Sequence, residues 1–242
     1  MSHISQDAAK DKPSMVKTPE ELLNIMKASA MGDKCFEHIL DFIRPGMKEI
    51  EIADEIQRTF ESMGSEGLSF PTICVSGVNT TKPHGEPSEK VIEEGDFITI
   101  DMGGIVNGYC GDMTRTVAVG GISEEQAVVY DTVLHSQLAG LEACRAGVRC
   151  FDVDKVCRDI ITEAGYGEYY IHGTGHGVGR EVHESPTLNT KSDEVLEENM
   201  PVTVEPGIYI PEKFGVRIED LAIITDFGII NTNRSPKELI IL

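Results

Sequence analysis

The sequence repeats its own order of elements once, and this repeat limits the chain to a fold built from two similar halves. A shift of 101 places superposes three pairs: Arg44 on Arg145, Gly46 on Gly147, and Gly64 on Gly165. In each half, two helical patterns in succession lead into a β segment that ends in an acid, Asp101 in the first half and Glu205 in the second. We therefore predict an internal duplication in which two halves of helices plus hairpin face each other.

Helix-start signals support this reading at equivalent places. Thr18-Pro19-Glu20-Glu21 combines an N-cap threonine, a proline at the first helical position and a capping box, and it predicts a helix that ends near Arg44. Ser123 and Gln126 predict a second capping box, with a helix to about Cys144. Extended segments are expected at 72–76 and 97–101. Residues 1–16 lack periodicity and are predicted to be a disordered tail, which leaves 17–242 as a single domain.

The first hairpin is predicted at residues 98–116, where Asn107-Gly108 is the strongest short-range signal for a type I′ turn. With these two residues as the loop, counting outward pairs Gly103 with Asp112. Asp101 lies two positions from Gly103, so both carboxylates should lie on one face as diagonal neighbours, roughly 7–8 Å apart. A solvated or satisfied polar pair would look the same, and the hairpin alone leaves that alternative open.

The duplication predicts a second acidic hairpin, and VEPGIYIPEKFGVRIED at residues 204–220 supplies it. Glu205 and Glu219 are symmetric about Glu212, so a simple hairpin would place them opposite each other. Four carboxylates in one cleft repel one another unless cations join them. Oxygen ligands suit hard or borderline ions, and we predict two divalent ions drawn from Mn²⁺, Co²⁺, Fe²⁺ and Zn²⁺.

Four of the seven histidines lie in segments rich in glycine and proline: His84, His172, His176 and His183. A lone histidine is more often structural than a ligand, but glycines beside it permit the close backbone approach expected near a site. One imidazole would complete the set of four carboxylates, and His176 in GTGHGVG is the candidate. The same glycines lack the spacing of a dinucleotide or Walker phosphate loop, so nucleotide binding is disfavoured.

The charge balance narrows the range of partners. With 41 acidic and 21 basic residues, the formal net charge of −20 disfavours a nucleic-acid surface and weakly favours a cationic group such as the free amine of a small peptide. No apolar run is long enough to span a membrane, and the N-terminus lacks the regions of a secretory signal. The six cysteines show no CxxC spacing, and a chain of this length does not depend on disulfides, so we interpret them as buried or incidental thiols in a reducing compartment. We expect a cytoplasmic protein without a membrane or nucleic-acid partner.

Five motifs occur in an order that resembles a known family: IDMG, GDMTRT, GTGHGVG, VEPGIY and VRIED. They are similar to the metal-ligand motifs of the M24 metallopeptidases, which share the pita-bread fold of creatinase and the methionine aminopeptidases. The likeness runs from about Thr18 to Leu242. It implies an α+β fold with two pseudo-symmetric halves, in which helices pack on a curved, mainly antiparallel sheet.

The resemblance also implies roles for individual residues. The ligands of a dinuclear metal centre would be Asp101, Asp112, His176, Glu205 and Glu219. His84 and His183 resemble the histidines of the family that contact substrate and stabilise the transition state. His172 resembles the histidine that lines the proline pocket of the Xaa-Pro enzymes. Tyr209 and Arg217 would support the ligands from behind, with Arg217 steadying a ligand carboxylate.

Within the family, the chain most resembles the Xaa-Pro dipeptidases and aminopeptidases P. The run from Glu205 to Glu219 is short, whereas methionine aminopeptidases typically carry an insertion there, and the closing PKELIIL also resembles the Xaa-Pro enzymes. Two features favour the methionine branch. The chain lacks the N-terminal domain usual in Xaa-Pro enzymes, and Arg180 stands where those enzymes commonly have leucine. The methionine aminopeptidase alternative stays open at this point, and the resemblance allows a homodimer.

The implied chemistry is metal-assisted hydrolysis of the N-terminal peptide bond of a small peptide, most simply one with proline second. Glu205 is expected to carry the proton of the attacking water to the leaving amine, while His84 and His183 donate hydrogen bonds to the developing oxyanion. Creatinase-like hydrolysis without metal and a non-enzymatic adaptor on the same fold are the alternatives. Neither needs the full ligand set, and this chain has kept all five positions.

Overall fold

The computed structural model describes residues 14–242, so nearly all of the tail predicted at residues 1–16 lies outside the described residues. The helices are α1 (Pro19–Phe42), α2 (Glu49–Ser62), α3 (Glu124–Ala143) and α4 (Cys150–Glu163). Two short 3₁₀ turns cover Gly77–Thr81 and Gly167–Tyr169. Among the helices of this described part, none combines the length and apolar character that crossing a membrane requires.

The strands fall into the two predicted halves. The first half contains β1 (Ile73–Ser76), β2 (Phe97–Met102), β3 (Ile105–Val106), β4 (Tyr109–Cys110) and β5 (Met113–Ala118). The second contains β6 (Gly175–Gly177), β7 (Glu184–Leu188), β8 (Pro201–Val204), β9 (Gly207–Ile210), β10 (Phe214–Arg217), β11 (Asp220–Thr225) and β12 (Gly228–Asn231). The named strands pair antiparallel in the orders β1-β2-β5 and β12-β11-β8-β6-β7, with β3-β4 and β9-β10 as separate ribbons.

Both predicted capping boxes are present, because the local sequence determines these contacts. The Thr18 amide donates to the Glu21 carboxylate at 2.8 Å, and the Glu21 amide donates to the Thr18 hydroxyl. The Ser123 amide donates to the Gln126 side chain at 2.9 Å, and the reciprocal bond is also formed. The predicted helices are confirmed to within a residue or two at their ends, and the extended segment at 72–76 becomes strand one residue late, at Ile73.

The duplication is confirmed in the backbone of the turns that separate each helix pair. Gly46 and Gly147 have φ of 91° and 87°, values that a residue with a side chain rarely adopts. Their amides make equivalent hydrogen bonds, from Gly46 to the Ile92 carbonyl at 3.0 Å and from Gly147 to the Leu196 carbonyl at 2.8 Å. Each half therefore folds its two helices back over its own β segments in the same way.

Each half has its own apolar core between helices and sheet. In the first, Phe36 of α1 and Ile56 and Phe60 of α2 are buried against strand residues such as Ile100. The core of the second half gathers side chains from α3, α4 and the larger sheet: Tyr130, Val133, Val153, Ile161, Val202 and Val204. Burial of such side chains stabilises the fold by about 1.5–3 kcal/mol each. Both sheets thus keep one face covered by helices, which leaves the opposite side available for polar groups.

The two halves meet along a seam between β5 of the first half and, in the second half, the end of β10 with the residues that follow it. The Glu219 amide donates to the Thr114 carbonyl at 3.1 Å. Two residues further along, the Thr116 hydroxyl donates to the Arg217 carbonyl at 2.9 Å, and the Arg217 amide donates back to that hydroxyl at 3.2 Å. Because these bonds join strands that carry the predicted acids, the seam brings the two acidic hairpins together.

Candidate metal centre and substrate cavity

The first acidic hairpin has the predicted register. Asn107-Gly108 forms the turn with φ of 51° and 74°, as a type I′ turn requires. Val106 pairs with Tyr109 in the short ribbon, and Asp101 pairs with Thr114 in the sheet. The register is continuous between these pairs and places Asp112 opposite Gly103. Asp101 and Asp112 both line one cavity, so their carboxylates lie on the same face.

The second acidic hairpin is also built as predicted. Its ribbon pairs Ile210 with Phe214 and Gly207 with Arg217, and the adjoining sheet pairs Val204 with Asp220. These registers agree with each other and place Glu205 directly opposite Glu219. Both glutamates line the cavity that contains the two aspartates.

Three of the five expected ligands form a compact group. One ligand atom from each of Asp112, His176 and Glu219 lies within 4.8 Å of the other two. His176 Nε2 is 3.7 Å from Asp112 Oδ2 and 3.2 Å from Glu205 Oε1, so Glu205 adjoins the group. Asp101 lies outside this triad and is bound by Arg217.

A line of hydrogen bonds supports the acids from behind the cavity. Arg217 Nη2 donates to Asp101 Oδ2 at 2.7 Å, and Arg217 Nη1 donates to the Tyr209 hydroxyl at 2.9 Å. The Tyr209 hydroxyl lies 2.8 Å from His172 Nε2. Thus Arg217 fixes one acid, and Tyr209 connects that contact to a histidine of the cavity wall.

Hydroxyl groups hold the two glutamates. Thr203 donates to Glu205 Oε1 at 3.0 Å, and Thr114 donates to Glu219 Oε2 at 2.6 Å. These contacts use one oxygen of each carboxylate and orient the side chain. Neither threonine was predicted. Thr114 could have been singled out, because it lies in the GDMTRT motif two residues after Asp112.

The acids form a site that suits divalent cations. Asp101 Oδ1 is buried and has no hydrogen-bond partner among residues 14–242, so this carboxylate oxygen is left for another group. Four carboxylates and one imidazole are donors that borderline divalent ions accept. The arrangement therefore fits a metal-dependent site.

The pKa values of the acids show how costly their proximity is. Burial, followed by repulsion from neighbouring carboxylates, raises the pKa of Asp112 and of Glu219 well above the ordinary range. Burial also raises the pKa of Asp101, against the opposing effect of Arg217. Burial acts in the same direction on Glu205, but its hydrogen bond to His176 and nearby positive charge outweigh this and lower its pKa to about 2. Cations between the acids would relieve this repulsion.

The cavity above the acids has a volume of about 820 Å³ and a mixed lining. Besides His176, the cavity is lined by His84, His172 and His183, and the centroid of the His183 ring lies 4.4 Å from that of the His176 ring. Apolar lining residues come from α2, from the segment before β1 and from the first residue of β1: Ile50, Ala53, Phe70, Pro71 and Ile73. A space of this size and chemistry can accept a short peptide with an apolar residue.

Two further residues act on the glycine-rich segment that carries His172 and His176. Asp154 of α4 is fully buried, and its Oδ1 accepts from the Thr174 amide at 3.1 Å and the Thr174 hydroxyl at 2.9 Å. Arg158 donates to both Asp154 oxygens and to the His172 carbonyl. These two residues were not predicted, because an acid four places before an arginine looks like an ordinary surface ion pair on a helix.

Arg180 favoured the methionine branch in the sequence analysis. Among residues 14–242, it is not one of those that line the cavity. Its guanidinium lies over the ring of Tyr109, 5.1 Å from the centroid. Its side chain therefore packs against the first hairpin and carries little weight for the choice of substrate.

Comparison with known proteins identifies the class. The sequence model of metallopeptidase family M24 matches residues 24–226, and the chain belongs to this family. The architecture is the pita-bread fold implied by the five motifs, and the likeness to Xaa-Pro dipeptidases and aminopeptidases is confirmed at the level of the family branch.

Individual relatives agree with this assignment. A structure described as an Xaa-Pro dipeptidase from Bacillus anthracis is 50% identical, with a TM-score of 0.93, and the match covers 94% of this chain and 64% of that one. An X-Pro aminopeptidase structure from Thermotoga maritima MSB8 is 40% identical, with a TM-score of 0.92 and coverage of 94% and 65%. The Xaa-Pro dipeptidase of Pyrococcus furiosus is 41% identical over 226 residues, which are 93% of this chain and 65% of that protein. The chain thus spans slightly less than two thirds of the length of these relatives.

Proposed function

We propose that this chain is a metal-dependent exopeptidase that hydrolyses the N-terminal peptide bond of small peptides with proline in second position. The observation that carries the proposal is the convergence of Asp112, His176 and Glu219 beneath a peptide-sized cavity lined by three further histidines. The names of the similar proteins, Xaa-Pro dipeptidase and X-Pro aminopeptidase, support the substrate class.

The proposed metal ligands are the two acids of each hairpin and the glycine-flanked imidazole: Asp101, Asp112, His176, Glu205 and Glu219. Together they would hold two divalent ions from the group Mn²⁺, Co²⁺, Fe²⁺ and Zn²⁺. When bound, such ions would supply Lewis-acid polarisation and a water of lowered pKa. The unpartnered Asp101 Oδ1 and the acids with raised pKa support the assignment, because each is relieved by a cation.

Glu205 is the proposed proton carrier. Its neighbours His176, His172 and Arg217 lower the pKa of Glu205, so the carboxylate is ionised at neutral pH, which is the form that can take a proton from water. The Thr203 hydroxyl holds Glu205 Oε1 and fixes the carboxylate at the cavity. Having taken the proton from the attacking water, the carboxyl group would give it to the amine of the leaving proline.

The cavity histidines are proposed to bind and orient the substrate. His84 and His183 are exposed in the cavity and would donate hydrogen bonds toward the developing oxyanion and its neighbours. Burial and the adjacent His176 lower the pKa of His183, so its ring is neutral at pH 7 and has one N–H to donate. His172 is held by Tyr209 and would present its ring to the proline.

We also propose that residues 17–242 act as one catalytic domain in the cytoplasm. The seam between the halves supports a single unit, since the ligands of the proposed site come from both. All six cysteines are free and buried in the structure, which suits a reducing compartment.

A substrate panel tests the proposal. Purified protein is offered Ala-Pro, a longer Ala-Pro peptide and a Met-Ala peptide, each with Mn²⁺ or Co²⁺ and each with a chelator. We expect hydrolysis of at least one Xaa-Pro substrate that depends on added metal and stops with chelator. A preference for Met-Ala would assign the chain to the methionine branch. Metal-free protein without any hydrolysis would favour an adaptor role.

A further inference from the structure

One buried carboxylate in the first half has no part in the proposed metal centre. Glu49 is the first residue of α2, and its side chain is fully excluded from solvent. A buried acid of this kind is costly unless several donors surround it. Its partners therefore show what the protein gains from it.

The donors to Glu49 come from both ends of one loop. Oε1 accepts from the Ser76 amide at 2.5 Å, the Ser76 hydroxyl at 2.9 Å and the Asn79 amide group at 3.1 Å. Oε2 accepts from the Ser88 amide at 3.1 Å and the Ser88 hydroxyl at 2.6 Å. Hydrogen bonds to an ionised acceptor are about twice as strong as neutral ones. A single carboxylate thus closes the loop of residues 77–87.

This loop carries His84 into the cavity. Between the two ends held by Glu49, the loop touches the site directly, because Arg217 Nη1 donates to the Pro83 carbonyl at 3.1 Å. The Gly215 amide of the second hairpin donates to the Thr80 hydroxyl at 2.7 Å. Glu49 therefore fixes the ends of the loop, and residues of the second half fix its middle.

The simpler explanation is that Glu49 only complements the positive end of the α2 dipole, as acids in a first helical turn often do. That role would leave its oxygens to solvent or to the amides of its own helix, whereas their partners are 27 to 39 positions away. The duplicated half provides a comparison. Its equivalent residue, Cys150, is also buried at the start of α4, and it does not hold a histidine-bearing loop in the described structure.

We propose that Glu49 is a positioning residue that holds the 77–87 loop so that His84 meets the substrate. This inference rests on the proposed function, since it assumes that His84 contacts substrate. Glu49 does not touch the reacting atoms, and we expect it to act through the placement of His84. Its loss should therefore lower kcat, with a smaller effect on KM, as the loss of His84 itself would.

A double-mutant cycle tests this coupling. Glu49→Gln keeps the shape of the side chain, but it turns one acceptor into a donor that faces donors. We expect kcat/KM for a Xaa-Pro peptide to fall about 10- to 100-fold in the Glu49→Gln single variant, because small misplacements of a catalytic group have effects of that size. In a His84→Ala background the same change should cost less than about twofold, since the two residues act in series. Equal losses in both backgrounds, or no loss in either, would overturn the proposal.

Controls separate positioning from general damage. The Cys150→Ser variant changes the equivalent buried position of the second half, and its kcat/KM should stay within about twofold of the parent. Metal content by elemental analysis should be the same in all variants. If Glu49→Gln does not yield folded protein, Ser88→Ala removes a donor and keeps the carboxylate, and the same cycle is run with it.

A measurement without substrate keeps this proposal distinct from the proposed function. If the parent protein hydrolyses no Xaa-Pro peptide, the proposed function fails. The hold of Glu49 on the 77–87 loop is then tested by hydrogen exchange. Amides of residues 77–87 should exchange faster in the Glu49→Gln variant than in Cys150→Ser, with the rest of the chain unchanged. Unaltered exchange in that loop would contradict the proposal that Glu49 holds it in place.

Discussion

In the first half, Asp101 and Asp112 lie diagonally across a hairpin closed by a two-residue turn, whereas in the second half Glu205 and Glu219 face each other directly across a longer hairpin. The shorter acids come from the tighter hairpin, and the longer acids come from the wider one. In both halves, therefore, the two acids lie on the same face of their hairpin. The two hairpins differ in how the acids are paired, because the turn of each hairpin sets its own register.

The halves also differ in how they hold their histidines. In the first, Glu49 at the start of α2 binds both ends of the loop that carries His84. In the second, Asp154 and Arg158 within α4 bind the segment between His172 and His176. Each second helix thus uses a buried acid for this purpose, at positions that are not equivalent in the repeat. The common requirement is a fixed backbone beside the site.

The largest expected effect tests whether both hairpins are needed. Asp112→Ala removes a proposed ligand of the first half, and Glu219→Ala removes a proposed ligand of the second. Because the ligands act as a unit, each change should lower metal-dependent hydrolysis by about 10³-fold or more. Steady-state assays with saturating Mn²⁺ measure this, with Asp131→Asn on the exposed side of α3 as a control. Undiminished turnover in either variant would remove that hairpin from the proposed site.

The next effect concerns an ion pair that joins the halves. Arg115 of β5 donates to Asp220 of β11 at 2.7 Å, and Lys237 donates to the same carboxylate at 2.7 Å. Asp220→Asn should lower the free energy of unfolding by about 3–5 kcal/mol, because it leaves the buried guanidinium of Arg115 and the partly buried ammonium of Lys237 without their anion. Urea unfolding at pH 7 measures this. A change below about 1 kcal/mol would mean that the seam hydrogen bonds hold the halves without the pair.

The same pair predicts an acid dependence of stability. Burial raises the pKa of Asp220, but Arg115 and Lys237 outweigh it and hold the pKa below its usual value. Its contribution is therefore present above the unfolded value of about 3.9 and is lost as the pH falls toward the lowered folded pKa. Below about pH 4 the parent should lose stability faster than Asp220→Asn. Parallel pH curves for the two proteins would contradict this.

A smaller effect distinguishes Asp154 from Glu49, the two buried acids that hold histidine-bearing segments. Asp154→Asn should loosen the segment that carries His176, and it should therefore weaken metal affinity or activity by about 10- to 100-fold. Glu49→Gln should leave metal affinity unchanged, since its loop carries none of the proposed ligands. Titration with Mn²⁺ followed by calorimetry compares the two variants. Equal metal affinities in the two variants would mean that Asp154 does not support metal binding more than Glu49 does.

The smallest effect examines the repeat itself. Gly46→Ala and Gly147→Ala place a side chain at a left-handed backbone position with open space around it, so each should cost only the conformational strain, about 1–2 kcal/mol. The two costs should agree within about 0.5 kcal/mol in urea unfolding. Gly121→Ala has open space at an ordinary φ and serves as the control. Unequal costs would show that the turns have diverged.

Local features of the fold were predictable because neighbouring residues decide them. The capping boxes at Thr18 and Ser123 need only four consecutive residues, and the Asn107-Gly108 turn sets its hairpin register because few other residues tolerate both left-handed positions. That register was enough to place Asp101 and Asp112 on one face. The repeat then supplied the second pair of acids.

The sequence alone thus determined the two halves, their hairpins and the residue types of the proposed site. Only the tertiary structure decided that Asp112, His176 and Glu219 converge while Asp101 is held by Arg217, because this depends on how the halves meet along the seam. It also decided the partners of Glu49 and Asp154. Their donors are far away in the sequence, and a buried carboxylate on a helix looks like a surface one until the chain has folded around it.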